Sequence, residues 1–585
     1  MTVAHLAAVG LVTLGSAGCG SCGAPSGGPA EAGASAEPVE PPVPAPAGLL
    51  AEAWVREPDA AWGKVQRGVS GAMALLPPTV GELACAFAGI DAPLPQLVDG
   101  KGTSYVVLGA GGAAEDVAWV VALPVTDAAL ASSMLFDSGD AADAGGRYSA
   151  RDVGGMHVMS SAAHPLNVTA ALARGSSPRG WLVLASSDES LARLGPYAVR
   201  TLPTKAAPAE AGAIVADVPP SALSGPLSFW LGARWSQTRA WLGARDDEQR
   251  AKHGGRAPDF GDPRPIVDAL DGAVTRRIAL LAGARGARLV VDAGDDEVHV
   301  ELAVTPGFDA ASAGQLTAMT PGDTRPLAAA PADAVVTLLV RDDPATRGED
   351  AATLEATLDR ALGDRLHEED SRAIHAAVTD WVHARGDWWT GALAWGPADA
   401  SRGVWLRTPA ASADASSRAV RELVDLSHRR ALEDLLAGSL HVSPATVRSV
   451  DAPPVGKASL ALFTDPATAR RKPEGAASLG VAWGVQEGEL LVAAGTAAPP
   501  LLSAEAAPPR RLGDDPRNAR ALAALGQRAT FAVFAEPLRL DPTLREPDST
   551  APAVFAWGRK GDGAWARLEL ADVLLRELIK RKAGF

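Results

Sequence analysis

The feature that most constrains the fold of this 585-residue chain is a set of four segments that recur in the same order. The matched pairs are 51–64 with 336–350, 180–194 with 488–502, 211–223 with 528–540, and 288–304 with 554–570. The spacings differ between the copies, which favours a duplication with insertions over a solenoid of fixed period. We therefore predict two related units, 49–325 and 326–585, with a helical insertion at about 225–285 in the first. The alternative is that alternating strands in an Ala-rich chain resemble one another by chance.

Within each copy, strands come in neighbouring pairs joined by short turns. Residues 104–125 contain a strand, a glycine turn and a second strand, and residues 388–409 repeat this arrangement. A helix should follow each pair, from Thr126 to Phe136 with Thr126 or Asp127 as its cap, and from Ser412 to Leu432. Hairpins interspersed with helices predict the α+β class, with antiparallel sheets covered by helices.

The N-terminus has the pattern of a targeting segment. Nine apolar residues, Leu6 to Leu14, are too few to span a bilayer, and they are followed by small residues and then by Cys19. This segment resembles a bacterial lipoprotein signal. The resemblance implies that 1–18 is a signal peptide and that Cys19 is lipidated as the mature N-terminus. An ordinary secretory peptide and a buried N-terminal strand are the alternatives.

Residues 19–48 are rich in Gly, Ala, Ser and Pro, and their composition predicts a disordered tether. The same resemblance implies a protein anchored to the membrane of the cell envelope, and Gly20 after the cysteine favours the outer membrane. A secreted or periplasmic location without lipid is the alternative. Behind the tether, the order of elements over 47–585 resembles an uncharacterised family of large bacterial envelope proteins of unknown function, which implies no catalytic residues.

Composition excludes two classes of protein. The net charge of −15 disfavours nucleic acid as a partner, because phosphate neutralisation needs a basic surface. Three cysteines cannot form a disulfide framework. Cys85 lies in a helix-like apolar segment and is expected to be a small buried hydrophobe. A disulfide between Cys22 and Cys85 is the alternative in an oxidising envelope.

The sequence contains no recognisable catalytic, cofactor or metal site. Residues 109–114 fit a dinucleotide-binding fingerprint, but the following segment has the pattern of a strand where that site needs a helix, so we interpret them as a hairpin turn. His367, His375 and His383 are spaced by eight residues and are interpreted as a solvated helix face. The acidic cluster at 292–297 does not match the spacing of a calcium loop and also predicts a hairpin turn.

The densest basic stretch lies in the insertion and is interleaved with tryptophans. Trp230, Arg234, Trp235 and Trp241 are candidates for a face that contacts a partner or a membrane surface. In the alternative interpretation, the tryptophans pack on the body of the protein and the arginines are solvated.

Together these features predict a non-enzymatic binding or scaffolding module of the cell envelope. Its partners would be the membrane, through the lipid on Cys19, and an envelope protein. The alternatives are an envelope enzyme whose site is assembled from distant residues, and a purely structural envelope component.

Overall fold

The computed structural model describes residues 40–69, 77–90, 93–111, 117–136, 148–161, 166–175, 178–210, 212–252, 264–294, 297–307, 314, 316, 320–342, 347–395, 402–437, 441–465, 478–526, 528–540 and 550–574. The predicted signal peptide, Cys19 and Cys22 lie outside these residues. The chain divides into two compact units. The first unit comprises Met1–Trp230, Leu281–Gly307 and Glu569–Phe585, and the second comprises Leu231–Leu280 and Phe308–Leu568.

Twenty strands are present in the described residues. They are β1 (Leu49–Val55), β2 (Ser104–Ala110), β3 (Val117–Val125), β4 (Ser149–Val153), β5 (Met156–Ser160), β6 (Thr169–Arg174), β7 (Gly180–Ala185), β8 (Ile214–Val218), β9 (Gly286–Ala293), β10 (Glu297–Thr305), β11 (Ala334–Arg341), β12 (Trp388–Trp395), β13 (Arg402–Pro409), β14 (Thr446–Ala452), β15 (Gly456–Thr464), β16 (Ser478–Gln486), β17 (Glu489–Gly495), β18 (Ala529–Ala535), β19 (Ala553–Lys560) and β20 (Gly563–Ala571).

The strands of the two units pair in the same order. The first sheet has the antiparallel order β4-β5-β6-β7-β3-β2-β1-β8-β9-β10. The second has the order β14-β15-β16-β17-β13-β12-β11-β18-β19-β20. Adding ten to each strand number converts the first order into the second. The α+β fold with antiparallel sheets is confirmed, and the shared strand order supports the predicted duplication.

Each pair of recurring segments contributes equivalent strands to the two sheets. The four pairs contain β1 and β11, β7 and β17, β8 and β18, and the pairs β9–β10 and β19–β20. The predicted hairpins 104–125 and 388–409 are β2–β3 and β12–β13, whose strands pair antiparallel. The alternation and turn chemistry of the sequence were sufficient to identify these strands.

Twelve helices of six or more residues lie in the described part of the chain. They are α1 (Pro58–Val69), α2 (Val80–Ala88), α3 (Ala128–Leu135), α4 (Asp188–Pro196), α5 (Ser228–Lys252), α6 (Arg264–Ala282), α7 (Arg347–Leu362), α8 (Glu368–Ala384), α9 (Ala413–Asp425), α10 (Arg430–Leu435), α11 (Ala498–Ala506) and α12 (Pro516–Ala524). The side chain of Asp127, one of the two predicted caps, accepts a backbone hydrogen bond at the start of α3, and that of Ser412 does the same for α9. The second predicted helix is broken after Asp425 and resumes as α10.

Helices cover both faces of the first sheet. Helices α1, α2 and α3 pack on one face, where Trp62, Ala84 and Leu135 join the core around Trp119. Helix α4 and the turns after it pack on the opposite face, where Tyr197 joins a second core. The central strands of this sheet are therefore buried on both faces, whereas the edge strand β4 is exposed.

The second sheet is covered less completely. Helices α11 and α12 pack on one face and form cores with the side chains of β11, β13, β17 and β18. On the opposite face, α9 packs over β15, β16 and β17, with Val420 and Val424 against Trp483. Helices α7 and α8 form a core with each other that includes Ile374 and Val378.

Helices α5 and α6 form the predicted insertion. Trp235 Nε1 donates to Asp271 Oδ1 at 2.5 Å, which ties the two helices together. The Arg277 guanidinium carbon lies 4.4 Å from the centre of the Trp557 ring. The second contact joins the insertion to β19, and residues 231–280 belong to the second unit. The sequence places the insertion in the first unit, and this prediction is therefore corrected.

The end of the predicted tether is attached to the first unit. Thr201 Oγ1 accepts a hydrogen bond from Val43 N at 2.9 Å and donates one to Val43 O at 2.7 Å. Glu40 forms an ion pair with Arg200. Residues 40–48 differ in this respect from the disordered segment that their Pro-rich composition predicts, because two backbone hydrogen bonds and an ion pair fix them.

Candidate ligand-binding site

One face of the second sheet exposes apolar side chains over β11, β12, β13 and β18. Leu338 lies directly opposite Gly391 and Val533, and Gly391 lies opposite Leu406, so these four residues form one row on one face. Further half-buried apolar residues lie on the same face: Val336, Val340, Leu393, Phe531, Phe555 and Trp557. Val404, on the same face, is 51% exposed. A half-open apolar sheet face of this kind is a candidate binding surface.

A pocket of about 320 Å³ lies at the edge of this face, between helices and sheet. Its lining is Ala351 and Leu354 of α7, Trp381 and Val382 of α8, Arg385, Trp389 of β12 and Leu406 of β13. The volume and the mainly apolar, aromatic lining are typical of small-molecule sites.

Local sequence explains how the tryptophans reach the pocket. Helix α8 ends at Ala384, and the short turn 385–387 leads directly into β12, so the last turn of the helix and the first residues of the strand lie close together. A Cβ added at Gly391 would lie 3.4 Å from Cζ3 of Trp389. The indole therefore lies against strand backbone that carries no side chain.

Arg385 is the charged residue of the lining and belongs to a buried cluster. Its Nη2 donates to Asp342 Oδ2 at 2.7 Å, and Arg347 Nε donates to the same oxygen at 3.2 Å. Arg347 Nη1 also donates to the backbone oxygen of Arg385 at 3.0 Å. Only 10–12% of each of the three side chains is exposed. Two guanidinium groups thus share one carboxylate.

The hydrogen bonds of this cluster are incomplete among the described residues. Arg385 Nη1 and Asp342 Oδ1 are buried and have no hydrogen-bond partner there. A buried donor without an acceptor costs about 1–3 kcal/mol, and more when the group is charged. An acceptor brought by a ligand would remove part of that cost.

A second pocket of about 270 Å³ is polar. It is lined by Arg365, His367, Arg430, Ala431 and Asp434. Two guanidinium groups oppose the binding of a cation here, so His367 is placed unfavourably for a metal ligand.

The other two histidines of the predicted helix face, His375 and His383, lie outside this pocket. His375 Nε2 lies 2.8 Å from Asp359 Oδ2, and His383 is exposed near the end of α8. In the part of the chain that the structure describes, no group of three or more His, Cys, Asp or Glu could hold a metal ion.

The first unit contains a partly buried polar network that the sequence did not reveal. Tyr197 Oη donates to Glu52 Oε2 at 2.5 Å, and Lys205 Nζ donates to both Glu52 oxygens at 2.7 Å. Burial acts to lower the pKa of Lys205, but its hydrogen bonds to Glu52 and Tyr197 raise that pKa above the ordinary value. Burial and the hydrogen bond to Glu52 raise the pKa of Tyr197. The groups satisfy one another and none lines either pocket described above.

A neighbouring ion pair extends this network across the sheet. Asp217 lies opposite Glu52 on one side and opposite Arg288 on the other. Arg288 donates to both Asp217 oxygens, at 2.6 and 3.0 Å, and to Glu210 Oε1 at 2.5 Å. The hydrogen bond to Asp217 is the main reason why the pKa of Arg288 is raised. This bidentate geometry holds β8 and β9 in register.

Two buried carboxyls of the second unit have strongly raised pKa values. Burial raises the pKa of Glu505 on α11 to about 7, and it raises that of Glu536, after β18, to about 7 as well. Arg407 Nη1 is 3.9 Å from Glu505 Oε1, and Glu536 Oε2 accepts from Ala551 N at 3.0 Å. Neither carboxyl lines the apolar or the polar pocket, and the main cause of both shifts is loss of solvation on burial.

The four candidate interaction residues do not share one face. At 100° per residue, Trp230, Arg234 and Trp241 lie within about 40° of one another on α5, whereas Trp235 lies about 140° from Trp230. Trp235 accordingly turns towards α6 and its bond with Asp271. Trp241 is 56% exposed, and the guanidinium carbon of Arg245 lies 5.0 Å from its ring. The predicted face is therefore reduced to the Trp230–Arg234–Trp241 side.

The remaining motifs fold as hairpins or core. Gly109 and Ala110 end β2, which pairs antiparallel with β3, and residues 112–114 of the glycine segment lie outside the described residues. Asp292 and Glu297 flank the β9–β10 turn, where Gly294 N donates to Glu297 O at 2.6 Å. Cys85 is buried in α2, and burial raises the pKa of its thiol to about 12.

The residues that build the apolar pocket were missed in the sequence. One signal was present: residues 381–389 contain three tryptophans and an arginine where a helix gives way to a strand. Asp342 and Arg347 could not be assigned to the same cluster, because they lie about forty residues earlier in the chain.

Comparison of the chain with protein-family models, with curated proteins and with solved structures found no match. Among the described helices, none is both long enough and apolar enough to cross a membrane.

Proposed function

We propose that this protein is a lipid-anchored envelope protein whose second unit binds a small apolar ligand without transforming it. The observation that carries the proposal is the pocket between α7, α8 and β12, lined by Trp381, Trp389 and Leu354. It lies on a sheet face whose apolar side chains are only half covered. An enzyme is disfavoured because the titratable clusters of Glu52, Glu505 and Glu536 do not line this pocket.

In this proposal, Cys19 carries the lipid and the membrane of the envelope is the first partner. The test is fractionation of cells that make the native chain or a Cys19→Ala variant, with mass spectrometry of the mature N-terminus. An acylated Cys19, and loss of the variant from the membrane fraction, would support the anchor. A chain that keeps Met1 and remains soluble would refute it.

Ligand binding is tested with N-phenyl-1-naphthylamine, a neutral probe that fluoresces in apolar sites. The full chain should bind it with saturation, and Leu354→Glu should weaken binding about tenfold or more, because a charge at the pocket rim must be desolvated. Leu130→Glu on α3 is the matched control, since Leu354 and Leu130 are 44% and 42% exposed on helices. The same loss in both variants, or no saturable binding, would refute the proposed pocket. A purely structural component would give the latter result.

A further inference from the structure

We infer that the ligand of this pocket is an amphiphilic acid. Its apolar body contacts Trp381 and Trp389, and its anionic group accepts a hydrogen bond from Arg385. This inference rests on the proposed function and adds the chemical class of its ligand. The three residues line one pocket, so a single small molecule could contact all of them.

The first argument is charge. Arg385, Arg347 and Asp342 are each about nine-tenths buried, and together they carry two positive charges and one negative charge. An excess cation that is shielded from water attracts an anion more strongly than an exposed cation does. Among the described residues that line the pocket, Arg385 is the only charged one.

The second argument is the hydrogen bonding of Arg385. Its Nη2 is used by Asp342, whereas its Nη1 has no acceptor among the described residues. A guanidinium group presents a planar set of donors that matches a carboxylate, and hydrogen bonds to charged groups are about twice as strong as neutral ones. A carboxylate in the pocket would provide the missing acceptor after a small shift of the side chain.

The third argument concerns the remaining lining. Ala351, Leu354, Val382 and Leu406 offer no hydrogen-bonding side chain to a polar ligand body. Trp381 and Trp389 provide flat aromatic surfaces that suit alkyl or aryl groups. The arrangement of one cation and an apolar wall fits a molecule with one anionic end.

The test compares decanoate with decanol, which share an alkyl chain and differ in charge. On the full chain, displacement of N-phenyl-1-naphthylamine should show decanoate binding about tenfold more tightly. Arg385→Gln should abolish this preference and leave decanol affinity within about twofold, while Arg430→Gln, in the polar pocket, should leave the preference unchanged.

A second variant keeps the inference open to refutation if Arg385→Gln fails to fold. Asp342→Asn removes the negative charge that Arg385 shares with Arg347, so the preference for decanoate should rise about threefold or more. A preference that survives Arg385→Gln, or that falls in Asp342→Asn, would overturn the inference. Equal binding of acid and alcohol by the native chain would overturn it too, but would leave the proposed pocket standing. Binding of neither would overturn the proposed function itself.

Discussion

Equivalent rows of residues in the two sheets differ in how deeply their side chains are buried. In the first unit the row is Ala216, Ala53, Val106 and Val121, which are 5%, 2%, 4% and 7% exposed. In the second unit the row is Val533, Leu338, Gly391 and Leu406, and its three side chains are only half buried. The strand order is the same in both. The difference lies in the helices, since α1, α2 and α3 close the first row, whereas α7 and α8 form a core with each other and α8 also packs against α9.

This comparison shows how one strand order can serve two purposes. A face that is closed by helices stabilises the unit, because apolar area is withdrawn from water. When the same face is only half covered, less apolar area is buried and the unit is less stabilised, but a ligand can reach the face. We therefore expect the first unit to be the more stable of the two, and the function proposed above assigns ligand binding to the second.

The largest expected effect is a difference in stability loss when one tryptophan is replaced in each unit. Trp119→Ala, in the closed core of the first unit, should destabilise that unit by about 3–5 kcal/mol, whereas Trp389→Ala should cost about 1–2 kcal/mol. Hydrogen exchange followed by mass spectrometry would report on peptides of each unit separately. Equal losses of protection in the two variants would contradict the comparison.

A second prediction concerns pH. The pKa values of Glu505 and Glu536 are raised from 4.5 to about 7 in the fold. Their stabilising contribution is complete below pH 4.5 and is lost as the pH rises through about 7, on the order of 2–3 kcal/mol for each carboxyl. The Tm of the second unit should therefore fall between pH 5 and pH 8.

Calorimetry of a double variant, Glu505→Gln with Glu536→Gln, checks this prediction. The neutral amides should flatten the dependence of Tm on pH, while Glu189→Gln, an exposed residue of α4, should not change it. A double variant with the same pH dependence as the native chain would show that these carboxyls are ionised at low pH in the fold.

A third prediction compares matched polar positions in the first strands. Glu52 of β1 corresponds to Thr337 of β11, which is fully buried and whose Oγ1 has no hydrogen-bond partner among the described residues. Thr337→Val should stabilise the second unit by about 1 kcal/mol, because it removes an unsatisfied hydroxyl. Lys205→Met should destabilise the first unit by about 1 kcal/mol, a modest loss because 38% of Lys205 is exposed. Urea unfolding would measure both, and a stabilising Lys205→Met would contradict the role of the network.

The smallest effect is expected where the open face meets water. Val404→Thr should change stability by less than about 0.5 kcal/mol, since Val404 is 51% exposed. Val121→Thr, on the corresponding strand of the first sheet, should cost about 1–2 kcal/mol because the hydroxyl would be buried. Thermal unfolding of the two variants would test this difference, and a large loss with Val404→Thr would indicate that the open face is covered.

Several local elements could be predicted from short stretches of the sequence. The hairpins at 104–125 and 388–409, the cap Asp127 as one of two candidates, and the burial of Cys85 follow from short-range patterns of apolar, turn and capping residues. The order of recurring segments also anticipated the shared strand order, because equivalent segments occupy equivalent strands. These features depend on residues that are close in the chain, so they can be predicted from local sequence patterns.

Tertiary structure alone decided which face is open and where the pocket lies. Arg385 joins Arg347 and Asp342 only because α8 returns the chain to the end of β11. Nothing in the local sequence of helices α7 and α8 states which surface they cover. Burial, pKa shifts and unpaired donors arise from contacts between distant residues, and for that reason the candidate site emerged from the fold and not from a motif.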